Sequence, residues 1–148
     1  MIEYTRTKLS HEEIFNYFKE NEEIFNPSLT SRLNVKEYAL KLHKYATHFC
    51  AYSDRKLIGL IACYFNEIDN ITGFISSVSV NREYQGSGIF AELINQVIKY
   101  GKLNNFNKIE LEVRPENRQV LQMYEKFGFV VIARPENNLI LMVLNLME

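Results

Sequence analysis

The segment Val78–Phe90, VSVNREYQGSGIF, constrains this chain more than any other. Val78 and Val80 alternate with Ser77 and Ser79, the two-residue period of a strand. Asn81 to Tyr84 is polar and turn-like. Gln85-Gly86-Ser87-Gly88 then leads into Ile89, Phe90, Leu93, Ile94, Val97 and Ile98 at helical spacing. A strand that breaks at glycines and opens a helix gathers backbone N–H groups and the positive end of the helix dipole at one place. That place suits a phosphate or pyrophosphate, and this physics alone leaves the nucleotide or cofactor unnamed.

The remaining periodicity predicts a first strand over residues 1–8 and a helix from the capping-box pair Ser10 and Glu13 to about Phe25. Asn26-Pro27-Ser28 breaks that helix. Asn34 caps a second helix with Val35, Tyr38, Ala39, Leu42, Tyr45 and Ala46 on one face. Strands at Thr47–Ser53 and Leu57–Glu67 flank a turn at Asp54-Arg55-Lys56, and Asp69-Asn70 turns into the strand ending at Val80. The helix from Gly88 runs to about Leu103. Ile109, Leu111 and Val113 alternate with Glu110, Glu112 and Arg114 in a strand that Pro115 ends. Asn117 caps a short helix carrying Val120, Leu121, Tyr124 and Phe127, and Gly128 suits its C′ position. Strands at about 129–134 and 138–146 close the chain. The order β α α β β β α β α β β is that of an α/β (α+β mixed) fold. Short turns make the central strands antiparallel, and the strand–helix–strand unit at 72–114 makes its two strands parallel. The expectation is a mixed, mostly antiparallel sheet of about seven strands with helices on both faces.

At 148 residues the chain is expected to form a single domain over 1–148, and 47% hydrophobic with 24% charged residues is a globular composition. A formal net charge of −1 gives no basic excess for nucleic acid, and no basic amphipathic helix suggests a membrane surface. The start MIEYTRTKLS is too polar for a signal peptide. The apolar runs Leu57–Phe65 and Leu139–Leu144 are too short to span a bilayer. Cys50 and Cys63 lack metal-type spacing and are expected as free buried thiols in a reducing cytoplasm. His11, His43 and His48 carry no ligand pattern, so surface or packing roles are expected and no metal.

Gln85-Gly86-Ser87-Gly88-Ile89 resembles the pyrophosphate loop of the GNAT superfamily of N-acetyltransferases: a Gln or Arg, two residues, Gly, one residue, then Gly or Ala. NRQVLQMYEKFGF, Asn117 through Phe129, looks like the same family's Asn…Tyr-Glu-Lys-x-Gly-Phe segment. The two stand in the family's order and spacing, and the resemblance covers roughly residues 57–130. Phe90 departs from it, standing where the loop usually has Gly or Ala; its spacing places the ring in the core beside Leu93 and Ile94.

The resemblance implies a GNAT-like domain whose parallel strands splay apart, a transferase (acyltransferase) activity with acetyl-CoA as co-substrate, and direct attack of a primary amine in a ternary complex. Val78, Ser79 and Val80 would pair with the pantetheine arm, with the Val78 N–H as oxyanion donor. Gln85, Gly86, Ser87, Gly88, Ile89 and Phe90 would surround the pyrophosphate. Asn117 would hydrogen-bond the cofactor arm, beside the helix cap that physics already assigns it. Tyr124 would give a proton to the departing thiolate, against the plainer reading of a packed aromatic. Leu111-Glu112-Val113-Arg114, with Asn117 and Tyr124, looks like the same segment of ribosomal-protein alanine N-acetyltransferases, where the matching glutamate is the base. Glu112 is therefore the base candidate, although its alternation also fits a solvated strand face. Glu67 and Asp69 are rival carboxylates, and water alone is a further route. Acceptor choice would lie in Phe25–Leu33, including Arg32, and in Arg134–Asn138, with Tyr64 and Asn66 lining the same cleft. A protein N-terminus or a small amine (amino sugar, amino acid or polyamine) are the acceptor classes. The alternatives are a non-catalytic acyl-CoA-binding or regulatory module, suggested by Phe90, and a Rossmann-type nucleotide binder. Antiparallel strands ahead of the glycine turn speak against the latter. The apolar final strands would either complete a homodimer sheet or bury themselves within one chain.

Overall fold

The computed structural model describes residues 1–25, 27–65, 71–133 and 138–147. Asn26, Asn66, Glu67, Asp69, Asn70 and Arg134, which enter the readings above, lie outside the described residues. The elements are β1 (Ile2–Thr5), α1 (His11–Glu20), α2 (Val35–Tyr45), β2 (Thr47–Ser53), β3 (Lys56–Phe65), β4 (Thr72–Val80), α3 (Ile89–Leu103), β5 (Lys108–Val113), α4 (Arg118–Lys126), β6 (Val130–Ala133) and β7 (Ile140–Asn145). This is the predicted order. The strands stand in the order β1-β2-β3-β4-β5-β7-β6 in one seven-stranded sheet. The β4–β5 pair is parallel, and β1–β2, β2–β3, β5–β7 and β6–β7 are antiparallel. No helix among the described residues is long and apolar enough to cross a membrane. The chain divides into two compact units: Met1–Tyr64 with Ser77–Val97, and Phe65–Ser76 with Ile98–Glu148.

In the first unit α1 starts as predicted. Ser10 Oγ accepts the Glu13 N–H at 3.1 Å, and Glu13 Oε1 accepts the Ser10 N–H at 3.0 Å. It ends at Glu20 rather than near Phe25. Asn21 commits both its N–H (3.1 Å) and its Nδ2 (2.9 Å) to the Tyr17 carbonyl, and Glu22–Ile24 tightens into a 3-10 turn. β1 is likewise shorter than residues 1–8: its pairing with β2 ends at Thr5↔Cys50, and at Leu9 the backbone binds side chains, His48 accepting its N–H and His43 donating to its carbonyl. Asn34 Oδ1 caps α2 through the Glu37 N–H at 3.0 Å. Tyr45 departs from the predicted buried face and is 68% exposed, since α2 ends there and Ala46 is already extended toward β2. Asp54 and Arg55, both at positive φ (48° and 66°), make the two-residue turn of the β2–β3 hairpin.

Alternation along β3 sends side chains to opposite faces. Leu60 and Ala62 pack with Ile14, Tyr17, Phe18, Ala39 and Leu42 of α1 and α2. Gly59 points the other way, where a Cβ would stand 3.1 Å from Ile89 and 3.2 Å from Leu93 of α3. Helices therefore cover both faces of these strands, as expected. Each fully buried Leu, Ile or Phe contributes about 1.5–3 kcal/mol, and the core holds Ile14, Phe18, Leu42, Phe49, Ile58, Leu60 and Ile61 at 2% exposure or less.

In the second unit the parallel ladder runs from Thr72↔Lys108 to Ile75↔Leu111. β4 continues to Val80, five residues past its last pair. Ile109, Leu111 and Val113 are buried, which is the predicted alternation of β5. Gly73 lies under the Phe65 ring, which also meets Tyr100 and Phe106 at centroid distances of 4.7 and 4.8 Å. Gly128, at φ 100°, follows α4 as its C′ residue.

Candidate active site

The first unit carries the glycine loop. β4 ends at Val80, and Asn81 caps a 3-10 turn over Arg82–Tyr84 by accepting the Glu83 N–H at 3.0 Å. Tyr84 OH donates to Ser53 Oγ at 3.1 Å, and Ser87 Oγ donates to the Tyr84 carbonyl. Gln85 folds back so that its Nε2 donates to the Val80 carbonyl at 3.1 Å. Gly86 and Gly88 have φ of 84° and 86°, a backbone region that costs other L-residues, and a Cβ on either would meet nothing within 4 Å. The first helical bond of α3 runs from the Glu92 N–H to the Gly88 carbonyl at 3.1 Å. The N-terminal N–H groups and dipole of a 15-residue helix therefore open at Gly88 beside unfilled space. These residues fit a diphosphate.

Phe90 does not take the core place predicted for it. Ile89 is 2% exposed, with Leu93, Ile94 and Val97 at 0%, and Phe90 is half-buried. Around the α3 axis Phe90 falls between Val97 and Ile94, on the buried side, but it sits in the first turn beside the exposed residues 85–88. On β4, Ser77 and Ser79 face the interior and Val78 is half-buried.

The second unit carries the other candidates. Tyr124 is 4% exposed, its ring edge-on to Phe129 at 5.4 Å, and burial pushes its phenol well above the ordinary value. It is therefore a protonated donor at neutral pH. The Tyr124 carbonyl accepts the N–H groups of Phe127 and Phe129 at 3.0 and 3.2 Å, fixing the end of α4. Asn117 holds the N-cap position, but its side chain makes no capping hydrogen bond, contrary to the cap predicted for it. Its backbone N–H instead closes a turn onto the Arg114 carbonyl at 3.0 Å. Glu112 is exposed on the face of β5 opposite Leu111 and Val113, and Glu110 pairs with Lys108 at 3.2 Å.

Arg32 is exposed, and Cys50 and Cys63 are both buried and free. Burial pushes the Cys50 thiol up to about 12 and Cys63 well above the ordinary value. Beside residues 22–33 a cleft of about 180 Å³ is lined by Phe15, Phe18, Leu29 and Val35, with Lys19, Glu22 and Thr30 among its polar groups. No group of three or more His, Cys, Asp or Glu able to hold a metal occurs among the described residues. Sequence reasoning missed Tyr17 and Asn21. Their partners lie 62 and 60 residues away, and no local pattern marks that.

The model of the Acetyltransferase (GNAT) family matches residues 11–129, and the chain belongs to that family. An uncharacterised N-acetyltransferase of Methanocaldococcus jannaschii is 35% identical over 50% of this chain and 34% of its own length. The N-alpha-acetyltransferase MAK3 of Arabidopsis thaliana is 25% identical over 72% of this chain and 60% of its own. The chain thus spans about a third to three fifths of the length of these relatives. In fold it is similar to the PaiA N-acetyltransferase from Thermoplasma acidophilum in complex with coenzyme A, with a TM-score of 0.78, 20% identity, and 98% of this chain and 99% of that one covered. The ribosomal-protein-alanine N-acetyltransferase from Escherichia coli superposes with a TM-score of 0.79 at 15% identity, covering 100% of this chain and 96% of that one.

Proposed function

We propose that residues 1–148 work as one N-acetyltransferase domain that moves the acetyl group of acetyl-CoA to a primary amine by direct attack. The observation that carries this reading is the loop at 85–88: two glycines of positive φ, open space beside them, and the start of α3, in a chain of the GNAT family. Acetyl-CoA supplies the activated acyl group. Gln85 to Phe90 hold its pyrophosphate through backbone N–H groups. Val78, Ser79 and Val80 bind the pantetheine arm, and the Val78 N–H stabilises charge on the acyl oxygen. Asn117 binds the same arm with an amide that does not serve its helix cap. Tyr124 donates its phenolic proton to the thiolate, and Glu112 accepts the amine proton through water. The exposure of Glu112 agrees with relay through water rather than direct contact.

Relatives named N-alpha-acetyltransferase and N-acetylaspartate synthetase make an α-amine, on a peptide N-terminus or a free amino acid, the acceptor class to try first. Two buried free thiols suit a reducing, cytoplasmic setting. The decisive experiment follows release of the CoA thiol with acetyl-CoA and a panel of peptides, amino acids, amino sugars and polyamines. Turnover on one class supports the reading. CoA binding without turnover on any would favour the binding-only alternative, which no observation among the described residues favours. Glu112→Gln tests the base: a pH–rate profile that keeps its acid limb removes Glu112 from the mechanism.

A further inference from the structure

The first unit contains a chain of buried polar contacts of which the proposed chemistry uses only Ser79. Tyr17, on the buried face of α1, places its hydroxyl 2.9 Å from Ser79 Oγ and 3.3 Å from the Ser79 carbonyl, to which it donates. The Tyr17 carbonyl accepts Asn21 Nδ2 at 2.9 Å. Asn21 Oδ1 accepts Asn81 Nδ2 at 3.1 Å. The Asn81 N–H donates to the Ile58 carbonyl of β3 at 2.7 Å, and Asn81 Oδ1 caps the turn that runs into Gln85.

Tyr17, Asn21 and Ser79 are 4%, 2% and 7% exposed. An unsatisfied polar group at such depth is costly, and apolar side chains of similar size would fill the same space. Paired, these groups gain direction, because a hydrogen bond holds its partners to a few tenths of an ångström where an apolar contact slides. The bonds converge on one stretch. Ser79 is held from α1, the Val80 carbonyl by Gln85, and Asn81 by Asn21 and Ile58. That stretch begins in the strand segment assigned to the pantetheine arm and ends four residues before Gln85.

We propose that Tyr17, Asn21 and Asn81 are positioning residues for the acetyl-CoA loop. Through them α1 fixes the end of β4 and the start of Gln85–Gly88 in the pose that the diphosphate meets. This rests on the acetyl-CoA reading above.

The test is calorimetric titration of the full chain with CoA, beside the thermal midpoint of the ligand-free protein. Asn81→Asp keeps the oxygen that caps Glu83 and replaces the donor to Asn21. Asn21→Ala removes the acceptor, and Tyr17→Phe removes only a hydroxyl. Each is expected to weaken CoA binding about fivefold, the worth of one net hydrogen bond. The Asn21→Ala/Asn81→Asp double variant is expected to bind no more weakly than the weaker single one, because both break the same bond. Lower midpoints with wild-type CoA affinity would overturn the proposal, as would additive losses in the double variant. If Asn81→Asp fails to fold, Tyr17→Phe, which keeps its ring in the core, decides alone. A wild-type chain that does not bind CoA overturns the underlying reading together with this one. Binding by the wild type with unchanged variants overturns this one only.

Discussion

His48 holds Leu9 by its backbone: Nδ1 accepts the Leu9 N–H at 2.8 Å, while Nε2–H donates to the Leu42 carbonyl at 2.8 Å. The two bonds require the neutral ring with its proton on Nε2. A second proton would set one N–H against another. Burial lowers the His48 pKa from its ordinary 6.5 against the pull of the Leu42 carbonyl, and His43 and Lys8 add to the lowering. The folded pKa lies below the unfolded one, so this contribution is complete above about pH 6.5 and is lost as pH falls through the folded value. The thermal midpoint should be flat near neutrality and decline below about pH 6.5. His48→Gln should shrink that decline, and scanning fluorimetry from pH 8 to 5 reads both.

Tyr124→Phe removes one hydroxyl and keeps the edge-on contact with Phe129. If the phenol protonates the thiolate, kcat should fall about 100-fold, within the span usual for acid catalysis. CoA affinity should stay within about twofold, and steady-state rates beside calorimetry separate the two. Unchanged kcat on a turned-over acceptor would return Tyr124 to a packing role.

Gly73 and Gly101 are both crowded, but differently. A Cβ on Gly73 would lie 2.6 Å from Phe65 Cε1, in a ring wedged against Tyr100 and Phe106. A Cβ on Gly101 would lie 2.8 Å from the methyl end of Leu146. The aromatic cannot move aside without displacing its neighbours, and a leucine can change rotamer. Gly73→Ala should therefore cost about 1–3 kcal/mol, and Gly101→Ala clearly less. Urea unfolding of both variants gives the comparison.

Ser10→Ala deletes one half of the reciprocal cap on α1. The expected loss is about 1 kcal/mol, or roughly 2–4 °C in the thermal midpoint of a chain this long. Ser10→Asp should recover most of it, since a carboxylate caps the same N–H and suits the helix dipole.

Features that repeat locally were legible in the sequence. The two-residue period of β5, the Ser10–Glu13 cap and the glycine loop all appear where their residues place them, because each depends on neighbours within four positions. Three kinds of feature were not legible. The end of α1 depends on how Asn21 divides its donors. That Ile89 is buried while Phe90 stays half-buried depends on what each meets in three dimensions, which for Ile89 is Gly59, 30 residues away in sequence. His48 with Leu9 and Tyr17 with Ser79 join groups 39 and 62 residues apart. Single-residue patterns carry no record of such partners, and only the folded chain brings them together. The same limit explains why the loop of the candidate site could be read in advance while the contacts that brace it could not.

With no protein atom beyond the chain neighbours within 4 Å of a Cβ at Gly86 or Gly88, the fold by itself does not ask smallness of the loop. It demands handedness. At φ near +85° the backbone there is that of a mirror-image residue, so D-alanine placed by chemical synthesis at either position should keep the loop's shape. L-alanine would bear a strain of about 1–2 kcal/mol. The loop thus reverses its handedness at two positions either side of Ser87, and of the coded residues glycine takes that backbone at the least cost.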